Sequence, residues 1–286
     1  MPDGFCYNPF HHEPLRKNST MNDLPTFLRR YFQSLAGCAF LFAGGVLIPK
    51  HRSLLYWLCK HFGFENEVED PNAKPAPTVP HLPASAVIRD ETTVRLSRIA
   101  DVAGNITPTE LMIIAAFVQQ RQPTLCFEIG TFDGRTTQNM AANQPDSGTC
   151  FTLDLPPEGV NQAALPLASG DITYINKPAS GVRISEQTRS SKITQLYGDS
   201  GTFDFSPYFN RVDLMFVDGS HSYEYVLSDT EKAYQMVKPG GLILWHDYDS
   251  RWWPGVTRAL NQLQSKDARF SEIRHIENTA LCFMVR

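Results

Sequence analysis

Five acids and two histidines occupy positions from which chemistry can be done. Glu128 stands just ahead of Gly130 and Gly134 in CFEIGTFDGRTT, residues 126 to 137. Asp154 ends the apolar run FTLDL, and Asp199 lies in YGDS. Asp218 and His221 share VDGSHSYE, and His246 with Asp247 sit in WHDYD. The glycines let a bound molecule lie against bare backbone, because no Cβ stands in the way. A carboxylate beside such a loop asks that molecule for a hydrogen-bond donor or a positive charge. A histidine three residues from an acid can take or return a proton near neutral pH.

Each of these residues follows a short apolar run. TLCFEI, TCFTLDL, ITQLYG, VDLMFVDG and GLILWHD read as strands, and FSEIRHIE and TALCFMVR, joined by a turn at Asn278, as two more. Helices are expected near 135 to 143, over SYEYVLSDTEKAYQMV and from PGVTRALNQL onward. Two others, ETTVRLSRIADVAG and TPTELMIIAAFVQQRQP, precede the first strand, the second opened by Thr107, Pro108 and Glu110 as a capped start. This alternation predicts an α/β fold with a mostly parallel, seven-stranded sheet covered on both faces, the closing hairpin adding one antiparallel strand. Ligands of such sheets sit beyond the carboxyl ends of the strands, beside the switch in strand order. The first five strands deliver Glu128, Asp154, Asp199, Asp218 and Asp247 to that rim. One such acid is noise; five in register are hard to attribute to upkeep of the fold.

The bulk numbers set bounds. A chain of 286 residues with 42% hydrophobic and 20% charged residues has ample core for one large domain and an appendage. A net charge of -4 without a long basic run argues against nucleic acid as partner. Six scattered cysteines include no C-x-x-C pair, and Cys126, Cys150 and Cys282 lie in apolar runs, which suits a reducing, cytoplasmic setting. Residues 1–65 form an N-terminal apolar segment, 66–88 a Pro-rich linker and 89–286 the domain that carries the acids. YFQSLAGCAFLFAGGVLI, residues 31 to 48, and LLYWLCKHFGF after it leave three readings open. They are a helical hairpin that packs on the domain or makes a homo-oligomer, an anchor on a membrane surface through residues 31–64, and a single span.

The motifs FEIGTFDGRTT, FTLDL, YGDS, VDLMFVDGSHSYE and VKPGGLILWHDY, in this order and spacing, resemble those of the class I S-adenosylmethionine-dependent methyltransferases. The resemblance covers roughly residues 90 to 286 and implies a Rossmann-like, doubly wound sheet. It implies S-adenosylmethionine as cofactor, with Glu128, Gly130, Thr131, Gly134, Asp154, Asp199, Ser200 and Asp218 around it. Glu128 would face its cationic amino acid end, Asp154 the ribose hydroxyls and Asp199 the adenine amino group. Thr136 and Thr137 are expected to cap the following helix.

VDGSHSYE and WHDYD are similar to the metal-dependent small-molecule O-methyltransferases, especially the macrocin-type sugar enzymes of methyltransferase family 24. That likeness implies a divalent metal, Mg or Mn, on Asp218, His246 and Asp247, with Asp249 as a substitute ligand and His221 as base beside Asp218. At His246 the family pattern has an acid. An imidazole there favours manganese, iron or zinc over magnesium, and a rim histidine bonded to a neighbour is an equal alternative. The implied activity is O-methylation of a small hydroxylated acceptor, a sugar or an aromatic. Two other readings stand beside it: a non-haem iron oxygenase of the kind labelled cephalosporin hydroxylase, built on His221, His246 and the acids, and a scaffold that binds cofactor without catalysis. Trp252 and Trp253 either stack on an acceptor ring or wedge the packing. Residues 156 to 192 read as a specificity insertion in which Asp171 and Arg183 have no assignable role.

Overall fold

The computed structural model describes residues 24–44, 48, 51, 74–100 and 102–286. The chain falls into two units, residues 1–73 and 74–286. In the first, helix α1 (Leu24–Gly44) carries no acid and exposes Leu24, Phe27, Phe32 and Phe40. Among the described residues no helix is long and apolar enough to cross a membrane. The second apolar run, 54 to 64, lies outside them.

In the second unit one sheet organises everything. Its strands are β1 (His81–Leu82), β2 (Leu125–Ile129), β3 (Thr149–Asp154), β4 (Ile193–Tyr197), β5 (Val212–Val217), β6 (Val237–Trp245), β7 (Arg274–Ile276) and β8 (Cys282–Val285). They lie in the order β1-β7-β8-β6-β5-β2-β3-β4, and only β8 runs against its neighbours. The chain order reverses at β2, which has β5 on one side and β3 on the other. The helices are α2 (Pro108–Arg121), α3 (Arg135–Asn143), α4 (Asp171–Ile175), α5 (Glu186–Ser191), α6 (Tyr223–Met236) and α7 (Pro254–Lys266). Strand residues alternate between two cores. Phe127, Ile129, Met215, Val217 and Ile243 meet Val226, Ala233, Val256 and Leu260 of α6 and α7 on one face. Cys126, Leu214, Phe216 and Leu242 meet Leu111, Ile114, Phe117 and Met140 of α2 and α3 on the other. The thiols of Cys126, Cys150 and Cys282 are free and buried, as expected.

Three local differences from the sequence reading have physical causes. The sheet has eight strands, not seven, because β1 comes from the stretch read as linker. From Lys74 onward the backbone of that stretch is docked: Val79 is buried and its N–H donates to the Tyr248 hydroxyl at 2.9 Å. The linker's residues 66–73 lie outside the described residues.

Among the described residues of 91–104 the expected helix does not form; there the segment is irregular or turned. Asn139 and Asn143, one helical turn apart on α3, each offer an amide to it as a strand edge would. The N–H groups of Ser97 and Arg95 donate to Asn139 and Asn143 at 2.8 Å, and both asparagines donate back to the same residues' carbonyls. The β-branched run Thr92, Thr93, Val94 tolerates that irregular path better than a helix.

Register explains why the acids meet. Ile129 pairs with Val217, and Val217 with Trp245. The next residue on each strand, Gly130, Asp218 and His246, therefore leaves the sheet at one level. Asp154 pairs with Tyr197 on the far side of β2.

Candidate functional site

Gly130 takes the left-handed conformation at φ 100, and a Cβ built there would lie 1.9 Å from the Asp218 carbonyl oxygen. Only glycine lets β2 and β5 end this close together. Beside that contact opens a cavity of about 270 Å³, lined among others by Gly130, Asp154, Asp199, Ser200, Asp218, His221, His246 and Asp247. Eight of the residues expected at the site thus share one cavity. Phe132, Tyr174 and Trp253 add aromatic wall.

Glu128, Thr131 and Gly134 are not among the lining residues. Glu128 shares the strand parity of Cys126, so its side chain turns into the face covered by α2 and α3. There it is 1% exposed and accepts the hydroxyls of Thr137 and Thr152, the latter at 2.6 Å. Thr137 is therefore a partner of Glu128 rather than a helix cap. Thr131 bonds the Thr152 hydroxyl at 2.7 Å. Gly134 is the N-cap of α3, where an added Cβ would strike Ile184 and Gly181. Burial pushes the Glu128 carboxyl up to about 8, against the pull of its two threonine bonds.

A folded-state value above the ordinary one means the neutral form is favoured by folding. Stability is then greatest below the ordinary carboxyl range and falls as pH rises toward 8. We expect Glu128→Gln to flatten that fall and to be more stable than wild type at pH 8 by on the order of 3 kcal/mol, with little difference at pH 4. Chemical denaturation at both values measures it; an equal gap at the two pH values would mean that Glu128 does not titrate between them.

Asp154 is nearly buried, with Lys177 Nζ at 2.8 Å from Oδ2 and the Ser180 hydroxyl donating to the same oxygen. Burial raises its pKa and the two partners pull it back. Asp199 accepts from Gly201 N at 2.7 Å, the Tyr225 hydroxyl at 2.8 Å and Ala164 N at 2.7 Å. Ser200 is buried beside it.

Two imidazoles lie among the remaining acids. His221 Nδ1 is 2.6 Å from Asp171 Oδ1, and its Nε2 is 2.8 Å from Asp247 Oδ2. Its ring stacks on Trp253 with centroids 3.9 Å apart and planes 17° off parallel. Burial disfavours the charged ring, but the two carboxylates override it and hold the pKa up at about 10. His246 Nδ1 lies 3.2 Å from both Asp218 Oδ1 and Asp247 Oδ2, and its Nε2 3.4 Å from Glu110 Oε2. Its pKa also stands well above the ordinary value: burial opposes the charge, and Asp247 and Asp218 outweigh it. Asp247 adopts φ 61, a rare conformation for a residue with a Cβ and one that recurs at functional sites. Its carboxyl stays far below the usual range because His246 and His221 outweigh its burial.

The donor atoms that converge belong to Asp218, His221 and Asp247, all within 4.8 Å of one another. The expected set had His246 in the place taken by His221. His246 stands beside that group, its Nδ1 3.2 Å from both carboxylates and its Nε2 turned to Glu110. One imidazole and two carboxylates still form a donor set that a divalent manganese, iron or zinc ion accepts. Asp249 instead pairs with Lys74 at 2.7 Å. The two tryptophans part company: Trp253 packs on His221, while Trp252 is 70% exposed with the Arg251 guanidinium 4.5 Å over its ring.

Sequence reasoning missed Asp171, Lys177, Ser180 and Tyr225, and took Glu110 for a cap alone. The first three lie in the 156–192 insertion, whose residues show no periodicity that would tie them to a strand end.

Residues 127–248 match the family model described as "Methyltransferase domain". Over 55 residues, 19% of this chain, the sequence is 42% identical to "Uncharacterized protein R132" of Acanthamoeba polyphaga mimivirus, and the match spans 25% of that relative's length. Among solved structures, an O-methyltransferase from Bacillus cereus in complex with SAH shares 14% identity over 65% of this chain and 84% of that one, with a TM-score of 0.43. The O-methyltransferase TomG from Streptomyces achromogenes, in complex with SAM, shares 15% over 82% and 98%, with a TM-score of 0.42. The SAH-bound methyltransferase PaMTH1 of Podospora anserina shares 14% over 66% and 82%, with a TM-score of 0.46. At that distance, what the site does has to be argued from this chain's own residues.

Proposed function

We propose, from the premise that a methyltransferase domain occupies residues 127–248, that the chain is an S-adenosylmethionine-dependent methyltransferase acting on the hydroxyl of a small sugar or aromatic acceptor. The observation that carries this reading is the convergence of Asp154, Asp199, Asp218 and Asp247 on one cavity, beside the Gly130 contact and the switch of strand order. A cavity ringed by carboxylates and backed by bare backbone favours a cationic, hydroxyl-bearing guest.

The residues divide the work by position. Asp154 would accept the two ribose hydroxyls. Asp199 and Ser200 would bound the adenine edge, where Asp199 is already fixed by three donors and needs no reorganisation. Asp218 and Asp247 would hold a divalent cation next to the acceptor oxygen, and His221, which converges with them, would take the acceptor's proton. Bound together, the cofactor supplies a methyl carbon activated by its sulfonium, and the cation lowers the pKa of the acceptor hydroxyl. The chain's task is then to align oxygen, methyl carbon and sulfur at near contact and to keep water out. Trp253 and Tyr174, in edge contact with centroids 6.1 Å apart, wall the acceptor side with apolar surface.

Calorimetry of the full chain with S-adenosylmethionine, with and without Mn²⁺ or Mg²⁺, tests both halves. We expect binding of the nucleoside and tighter or acceptor-dependent behaviour with metal. Heat that does not depend on metal removes the cation from this reading and leaves the nucleoside; no heat at all removes both. Labelled cofactor incubated with an extract of the producing cell would then identify the acceptor by its label.

A further inference from the structure

Glu110 belongs to helix α2, yet its carboxylate reaches the edge of the site. It is 3% exposed, and its carboxylate meets the cap of its own helix, the turn at Ala280 and His246. Oε2 accepts the Thr107 N–H at 2.7 Å and the Thr107 hydroxyl at 2.8 Å, which closes the capping box of α2. Oε1 accepts the Ala280 N–H at 2.6 Å, which ties it to the turn between β7 and β8. Oε2 also faces His246 Nε2 at 3.4 Å. A capping box needs only the first of these, and a glutamate serving one is at home on the surface. Burial costs a carboxylate several kcal/mol unless it gains partners, so the further contacts need a reason.

The far side of His246 supplies it. Its Nδ1 stands 3.2 Å from Asp218 Oδ1 and 3.2 Å from Asp247 Oδ2, bridging the carboxylates that end β5 and follow β6. The ring can hold both only if its plane is fixed, and the Phe216 ring, 6.5 Å away, constrains it from one side alone. We propose that Glu110 is a positioning residue of the site: by anchoring Nε2 it sets His246 as a bridge that holds Asp218 and Asp247 at a fixed separation. The inference goes beyond the reading of the site as a methyltransferase and rests on it only for the use made of the two aspartates.

Two variants of the full chain separate this role from capping. Glu110→Gln keeps the shape but loses the second acceptor and the charge, whereas Thr107→Ala breaks the cap and leaves the carboxylate on His246. The ring ¹⁵N signals of His246, assigned by their loss in His246→Gln, are the first readout, and Mn²⁺ affinity by calorimetry the second. We expect Glu110→Gln to move the His246 signals and weaken Mn²⁺ binding by about tenfold or more, the usual scale for groups that orient a metal site. S-adenosylmethionine affinity should be unchanged in it. Thr107→Ala should lower the melting temperature and alter neither readout. If Glu110→Gln does not fold, Glu110→Asp, with its charge drawn back by one methylene, reads the same two quantities. His246 signals indifferent to Glu110, or shifted equally by Thr107→Ala, would overturn the proposal. A wild type that binds no Mn²⁺ overturns the metal half of the functional reading instead, and the His246 signals still decide for or against Glu110.

Discussion

Asp154→Asn is expected to weaken S-adenosylmethionine binding by about 100-fold while the fold survives. The argument starts from the oxygen that remains available. Lys177 and Ser180 both approach Oδ2, and a carboxylate has about four lone-pair sites, so Oδ1 keeps room for a hydroxyl donor. Hydrogen bonds to a charged group contribute about 1.5–3 kcal/mol each. Losing the charge and one acceptor from a pair of ribose contacts comes to roughly 3 kcal/mol, or about two decades in affinity. Asparagine is the better substitution than alanine, because alanine would leave the nearly buried Lys177 ammonium with no counter-charge on Asp154 and only the Tyr174 carbonyl, at 3.2 Å, to receive it. Isothermal calorimetry measures the loss, and thermal unfolding checks that the variant is intact. Unchanged affinity in a folded Asp154→Asn protein would put the ribose assignment in error and leave Asp154 as half of a structural ion pair that fastens the insertion.

The sheet could be read from the sequence because a strand buried on both faces is a short continuous apolar run, and each of the first five runs closes on a glycine or an acid. Strand parity was equally available, and it decides more than position at a strand end does. Glu128 and Asp154 look alike as acids closing apolar runs, but Glu128 alternates with Phe127 and Ile129 and so falls among the residues under α2 and α3. It ends beneath the loop, against Thr137 and Thr152, while Asp154 lies on the cavity. What no local pattern carries is the choice between two imidazoles. His246 adjoins Asp247 in the chain and His221 lies 26 positions from it, yet His221 is the one at 2.8 Å from its Oδ2. That choice depends on the left-handed turn at Asp247 and on two acids distant in sequence, Asp171 holding one ring and Glu110 the other. The mistaken helix at 91–104 has the same origin, since the asparagines that hold that segment lie over forty residues further on.

His221→Ala is expected to lower methyl transfer by about 100-fold or more, with S-adenosylmethionine affinity unchanged, the usual scale for loss of a positioned base. Geometry adds a condition on how the ring can act. Both nitrogens face carboxylate oxygens, Asp171 at 2.6 Å and Asp247 at 2.8 Å, so the ligand-free arrangement holds an imidazolium up to about pH 10. A base must be neutral before it can accept a proton, and the neutral fraction grows only as pH rises toward that value. The rate of methyl transfer should therefore climb through the neutral range instead of levelling near the ordinary histidine pKa. Removing a carboxylate that favours the charged ring lowers its pKa, so Asp171→Asn should move the rising limb to lower pH. Stability shifts with the same sign: a histidine whose folded pKa is raised stabilises fully below its ordinary value, and that contribution is lost as pH rises through about 10. Asp171→Asn should lose stability at pH 6 and little at pH 10. Rate profiles with the acceptor found by labelling, set beside unfolding at the two pH values, distinguish the roles. Full activity in His221→Ala would dismiss the ring as base. A rising limb unmoved in Asp171→Asn would mean that Asp247 alone sets its proton.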